Sequence, residues 1–477
     1  MLGISRRELL QGGVAAAGVC AAGAVARSPA ASSPVVSVRD FGAVAAPGRD
    51  NSKAIQRAID SVAVRGGGVV VIPEVYECGT LAVSGDGVTI RGEGGWLVNG
   101  RVSILEGRQE CRIENLGIID RRGNPNSYAL DIAGRNCTFS NVTLVKDPIA
   151  GGYQMYLRQP SSHCTFTNLR LKGSNGTMIA GHDHLFEKFE FESTMSNRVG
   201  GDDAFAIKAL GKPTYNITIR DGVARGYSAI ASFGSEIGTS GRSSNYEAFV
   251  RNVSISDIQA DRCSSLLFFK PGALIYDWRN GLIDGVRLDR LRLTDERGER
   301  FMSGIRMIAA RGAIIRNVVG REIEIRARAK NQGVQQTAAI DLVLFDEGAA
   351  SSFEAIDLQM TFADPYDGED HGTDVPGFPI DHIVRIEKNN PGKGSMSGVS
   401  IDIVGRGTRF GGVFIGEGLD DAVTLRRALL TRVGLHPPAS AGGGGIWSES
   451  RIALGEISVD SPVLPRFGGR ALQGRAD

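Results

Sequence analysis

Apolar and polar positions follow two rhythms along this chain. Near the N-terminus, Ala54, Ile55, Ala58, Ile59 and Val62 fall on one face of a 3.6-residue period. Asp50, Asn51 and Ser52 precede this run and Gly66, Gly67 and Gly68 follow it. The spacing therefore predicts a capped helix from about Ser52 to Val64. Elsewhere a period of two dominates. Residues 36–44, 69–72 and 88–94 read as strands.

From residue 111 onward the alternation becomes a repeat. Cys111, Ile113, Asn115, Leu116 and Ile118 are echoed by Cys137, Phe139, Asn141, Val142 and Leu144. They are echoed again by Cys164, Phe166, Asn168, Leu169 and Leu171. Looser copies contain Phe186, Phe189 and Phe191, then Val253, Ile255 and Ile258, then Val286, Leu288 and Leu291. Later traces lie at 323–325, 356–358 and 399–403. Each copy is two short strands broken at a polar residue, often Asn or Asp, which tolerates the left-handed backbone of a sharp bend. One copy cannot bury its own apolar face, but stacked copies bury a continuous column. The prediction is an all-β, single-domain right-handed parallel β-helix, with the early helix capping its first rung. Cys111, Cys137 and Cys164 then stack as an interior ladder of free thiols; a disulfide is the alternative.

Composition supports this reading and limits function. Among 477 residues there are 64 glycines and only 6% aromatics, which suits short strands and tight turns. Lys and Arg number 54 against 53 Asp and Glu, so net charge gives no reason to expect nucleic acid or an acidic membrane surface as partner. No later stretch is long and apolar enough to span a membrane. Arg6 and Arg7, a weakly apolar run and Ala24 to Ala26 read as a twin-arginine export signal; an ordinary secretory signal is the alternative. The expected organisation is a signal at 1–26, strand and capping helix at 27–95, β-helix at 96–435, and linker and tail at 436–477. The expected location is periplasmic or secreted. No nucleotide or redox cofactor motif is present; Gly92, Gly94 and Gly95 follow a strand without opening a helix.

The stretch from Gly200 to Lys208 holds the candidate chemistry. Asp202 and Asp203 stand before an alternating run in which Phe205 and Ile207 point one way and Ala204, Ala206 and Lys208 the other. Two acids at the rim of a small-residue floor suit a sugar ring, while a plain polar turn is the alternative. Tyr153, Tyr156, Tyr276 and Trp278 are candidate stacking surfaces. The acidic loop at 364–374 is either solvated or a Ca²⁺ site.

Two regions resemble known proteins. Asp40, Phe41, Gly42 and Ala43, the capping helix, and the strands at 68–73 and 88–94 resemble the N-terminal part of the pectate-lyase/rhamnogalacturonase-like β-helix superfamily. The segment 173–281 resembles the catalytic half of the polygalacturonase (pectinase) family of glycoside hydrolases. That resemblance implies inverting hydrolysis of a polysaccharide or oligosaccharide substrate. It implies Asp202 as general acid and Asp203 as the group activating water. It also implies Lys208, Ser235 and Lys270 as substrate-binding residues; Asn175, at a motif position, and Trp278, as a stacking ring, join them as candidates, and neither a metal nor a cofactor is expected. Three positions depart from the family. An expected carboxylate is Asn175, an expected histidine is Ala229, and an expected arginine is Phe268. Asn has no proton affinity near neutral pH, so it cannot be a base. The run His182, Asp183, His184 offers a substitute base, although rung alignment puts His184 in the cysteine column. Two other readings stay open: a lyase using Lys270 or Lys208 as base, and a non-catalytic carbohydrate-binding β-helix.

Overall fold

A computed structural model describes residues 33–122, 128–146, 152–194, 201–240, 248–272, 278–329, 337–345, 349–365, 380–389, 394–408, 411–433, 446–459, 466–467 and 470–471. The export signal, Tyr276 and most of the acidic loop at 364–374 lie outside these residues. The helix spans Ser52–Ala63 and buries Ala54, Ile55, Ala58, Ile59 and Val62, the face that its period marks out. Its N-cap differs from expectation. Asn51 occupies that position, yet its Oδ1 accepts from the Val44 N–H and its amide donates to the Arg49 carbonyl. The side chain ties the preceding loop rather than the helix. No described helix is long and apolar enough to cross a membrane.

The remaining chain winds as a parallel β-helix. Among the described residues, one sheet has 19 strands and a second has 15, and nearly every pairing is parallel. Residues 34–477 form one compact unit. Strands on both sides of residue 96 share the same sheets: Thr89 pairs with Arg112, and Thr80 with Arg101. The segment after 436 contributes too, since Ala453–Val459 pairs with Val423–Thr431.

The repeat sets the register. Ile113, Phe139, Phe166 and Phe186 occupy successive rungs of one column. Their rings stack nearly parallel, with centroids 4.6 Å apart for Phe139–Phe166 and 4.4 Å for Phe166–Phe186. Cys111, Cys137 and Cys164 are buried free thiols, as are Cys78 and Cys263. His184 continues the cysteine column: it is 2% exposed, and its Nδ1 accepts from the Cys164 N–H at 3.3 Å. The bends adopt the expected left-handed backbone, with φ near 55° at Asn115, Asn141 and Asn168. Their amides form a chain, Asn168 donating to Asn141 at 2.7 Å and Asn141 to Asn115 at 2.8 Å.

The 15-stranded sheet departs from simple alternation. Ala204 and Phe205 both pack into the apolar core, so Ala204 is not part of an outer floor. The same doubled inward pair recurs at Ile230–Ala231, Leu266–Leu267, Ala339–Ile340 and Ile383–Val384. Two successive inward residues require the backbone to turn a corner, because a flat strand alternates its faces. Such a corner turns the residues flanking each pair toward one another on the outer side, along a line we call the trough, where Asp203, Ala206, Ala229 and Ser232 are themselves buried. Ala206, Ser232, Phe268 and Arg306 form one row along this trough.

Candidate active site

The acids sit where this corner meets the rungs bearing Asn175, Asp203 and Ala229. Gly201–Ala209 carries Asp202 and Asp203; Tyr227–Ile237 lies on the next rung, and Ser265–Phe269 on the one after. Asp202 is exposed and Asp203 is buried. The Tyr153 hydroxyl donates to Asp202 Oδ2 at 3.0 Å, and the Asp202 N–H donates to Asn175 Oδ1 at 3.0 Å. Asn175 therefore fixes the backbone of the acid pair, a task that needs an acceptor oxygen and no charge.

Asp203 is held from the following rungs. Its Oδ2 accepts a short hydrogen bond from the Ser232 hydroxyl and lies 3.8 Å from Lys270 Nζ. Its Oδ1 is buried without a hydrogen-bond partner among the described residues. Burial, and then the charge of Asp202, push the Asp203 carboxyl up to about 7. Lys270, Ser232 and Lys208 oppose that shift. Burial, Asp203 and Asp202 likewise hold the Tyr153 phenol well above its ordinary range, so it remains a donor.

Beside the acids lies a second, paired cluster. Lys208 Nζ contacts Glu236 Oε1 at 2.8 Å and stands 5.9 Å from the Tyr153 ring centroid. The Ser235 hydroxyl donates to Glu236 Oε2 at 3.1 Å. Phe268, at the expected arginine position, is flanked by two cations instead. Lys270 Nζ is 4.9 Å from its ring centroid and Arg306 Cζ is 5.4 Å. Arg306 pairs with Asp341 at 3.1 Å, so its charge is already compensated.

The structure thus gathers Asp202, Asp203, Asn175, Lys208, Ser235 and Lys270. Trp278 lies on a two-residue strand, Trp278–Arg279, paired antiparallel with Thr239–Ser240. Tyr156 lies on the same outer row two rungs before Ala206, its ring tilted against Tyr128 at 5.1 Å. Neither remaining base candidate serves the acids. His184 faces the interior, where burial depresses it to about 3, while His182 and Asp183 belong to the other sheet. Sequence reasoning missed Ser232, Glu236 and Arg306. Glu236 adjoins Ser235 and was open to notice, but Ser232 and Arg306 reach the site only through rung register.

No protein-family model matches the chain. No curated protein matches it either. Solved structures do. A double mutant of the tailspike protein of Escherichia coli bacteriophage HK620 aligns with a TM-score of 0.56 at 13% identity, covering 91% of this chain and 78% of that one. A single mutant of the same tailspike, in complex with pentasaccharide, aligns at 0.53 and 12% identity, with the same coverage. A hyperthermoactive exopolygalacturonase from Thermotoga maritima gives 0.40 at 15% identity, covering 90% and 93%. At such identities the likeness to the tailspike is one of fold, and it agrees with the parallel β-helix built above.

Proposed function

We propose that this chain hydrolyses a glycosidic bond in a polysaccharide, using Asp202 and Asp203. The observation that carries the proposal is the contrast within the pair. One carboxyl is buried and raised to about 7, so near neutral pH it holds a proton to give. Its neighbour is exposed and oriented by Tyr153, where water can reach it. This favours Asp203 as proton donor to the leaving oxygen and Asp202 as the group that activates water, the reverse of the roles that the polygalacturonase resemblance implies. Lys208, Lys270 and the aromatic ring of Tyr156 would line the sugar's path. The tailspike neighbour in complex with pentasaccharide supports a saccharide ligand for this chain. The paired arginines at Arg6 and Arg7 support export to the periplasm or beyond.

The test is incubation with a panel of neutral and uronate polysaccharides, following reducing ends, product anomer and the absorbance of unsaturated sugars together. Reducing ends without absorbance are expected, with the inverted anomer first. Asp203→Asn should lower kcat by about 10²–10⁴-fold, the usual worth of a general acid. It should also abolish the activity decline as pH rises through about 7. Unsaturated products would replace hydrolysis by elimination, and near-normal turnover in Asp203→Asn would remove that residue from the chemistry.

A further inference from the structure

On the other sheet, three side chains from neighbouring rungs converge without any part in the proposed reaction. His163, His182 and Asp183 each offer a ligand atom, and all three atoms lie within 4.8 Å of one another. His163 Nε2 is 3.5 Å from Asp183 Oδ2, and His182 Nδ1 is 2.6 Å from the same oxygen. From these we infer a binding site for a divalent transition ion of the zinc class, clamping the rung of His163 to the rung of His182 and Asp183.

The donor set selects that class. Two imidazoles and one carboxylate suit Zn²⁺, Ni²⁺ or Cu²⁺, whereas Ca²⁺ and Mg²⁺ require shells of oxygen. The spacing fits as well. Bonds of about 2.0–2.2 Å to a tetrahedral ion put ligand atoms roughly 3.3 Å apart. The His163–Asp183 pair is already there, and the His182–Asp183 pair must open by less than about 1 Å. An ion would replace the direct contact between His182 Nδ1 and Asp183 Oδ2, with water filling the fourth position.

Outer contacts hold the ligands in place, as metal sites require. The Asn216 amide donates to Asp183 Oδ1 at 2.8 Å, leaving Oδ2 for the ion. The His182 ring lies flat on Tyr215, with centroids 4.7 Å apart and planes 2° from parallel. The His163 N–H donates to the His182 carbonyl at 3.1 Å, which locks the two rungs in register. His163 and Asp183 both take the left-handed backbone, with φ of 54° and 58°, and so splay outward at the bend.

The experiment is calorimetric titration of the tag-free full chain with Zn²⁺ after dialysis against a chelator, followed by thermal unfolding with and without the ion. The variants are His163→Asn and Asp183→Asn. Both keep a residue that the left-handed bend accepts, as Asn136 and Asn216 do at equivalent bends. Wild type should bind one ion at this site and unfold at a higher temperature in its presence. Each variant should bind at least about tenfold more weakly and unfold in chelator at the wild-type temperature. Excess Mg²⁺ should not compete. Wild type that takes up no Zn²⁺, or variants that bind and are stabilised like wild type, would overturn the site.

Discussion

The asparagine bend and the acid corner both turn the chain sharply, and they do so in opposite ways. At the bend the same residue returns on three successive rungs, and Asn168, Asn141 and Asn115 satisfy one another along the axis. At the corner, the outer row changes at each step: Ala206, then Ser232, Phe268 and Arg306. One carboxylate oxygen there is buried and has no hydrogen-bond partner among the described residues. Repetition lets identical groups meet identical partners and spreads stability over the stack. Its absence leaves groups whose needs the protein alone does not meet, and those groups are available to a ligand.

The largest test of the repeating side is Phe166→Ala. It removes the middle of a three-ring stack and should cost about 3–5 kcal/mol in urea unfolding. A loss under 1 kcal/mol would mean that the column tolerates gaps and that repetition is not what stabilises it.

The next test concerns pH on the non-repeating side. The folded protein keeps a proton on Asp203 that the unfolded chain releases above about pH 4. Ionising it therefore costs stability as pH rises from about 4 to about 7, and that cost persists above. Asp203→Asn should accordingly be more stable than wild type at pH 8, by on the order of 2–4 kcal/mol, and nearly equal to it at pH 4. A variant that loses stability at pH 8 would make Asp203 a structural carboxylate. His184 acts in the other direction. Its proton affinity is depressed to about 3, so charging it destabilises the fold as pH falls from about 6.5 toward 3.

The smallest effect is expected from Asn141→Ala, which loses the ladder's hydrogen bonds and puts Ala in a left-handed position. About 1–2 kcal/mol should be lost, with no change in turnover. A change in turnover would show that the bend and the trough are coupled.

How far each part was legible follows from the same contrast. The helix face, the cysteine column and the asparagine bends were readable because a local period or a short repeat encodes them. Even His184 could be placed inside, by aligning it with Cys164. Asp202 and Asp203 were legible as paired acids before an alternating run, Asn175 and Lys270 through resemblance to a motif, and the structure puts all four together. The direction of Ala204 was misread because alternation assumes a flat strand, and the corner between Ala204 and Phe205 leaves no mark in two small or apolar letters. Ser232 and Arg306 were missed because their relation to Asp203 and Phe268 exists only between rungs. The division of labour between the acids was equally hidden, since burial of Asp203 is a property of its neighbours.

The doubled inward pair has one more implication. It repeats from Ala204 to Val384, so the trough continues well past the acids. Neighbouring strands lie about 4.8 Å apart, so the trough is graduated at that interval. A polymer threaded along the axis would meet Tyr156, Met178, Phe268 and Arg306 at successive marks of one row, passing over Ala206 and Ser232, which are buried. The coil is in this sense a ruler, and the number of rungs between the acids and the point where the trough is blocked would set the length of fragment released.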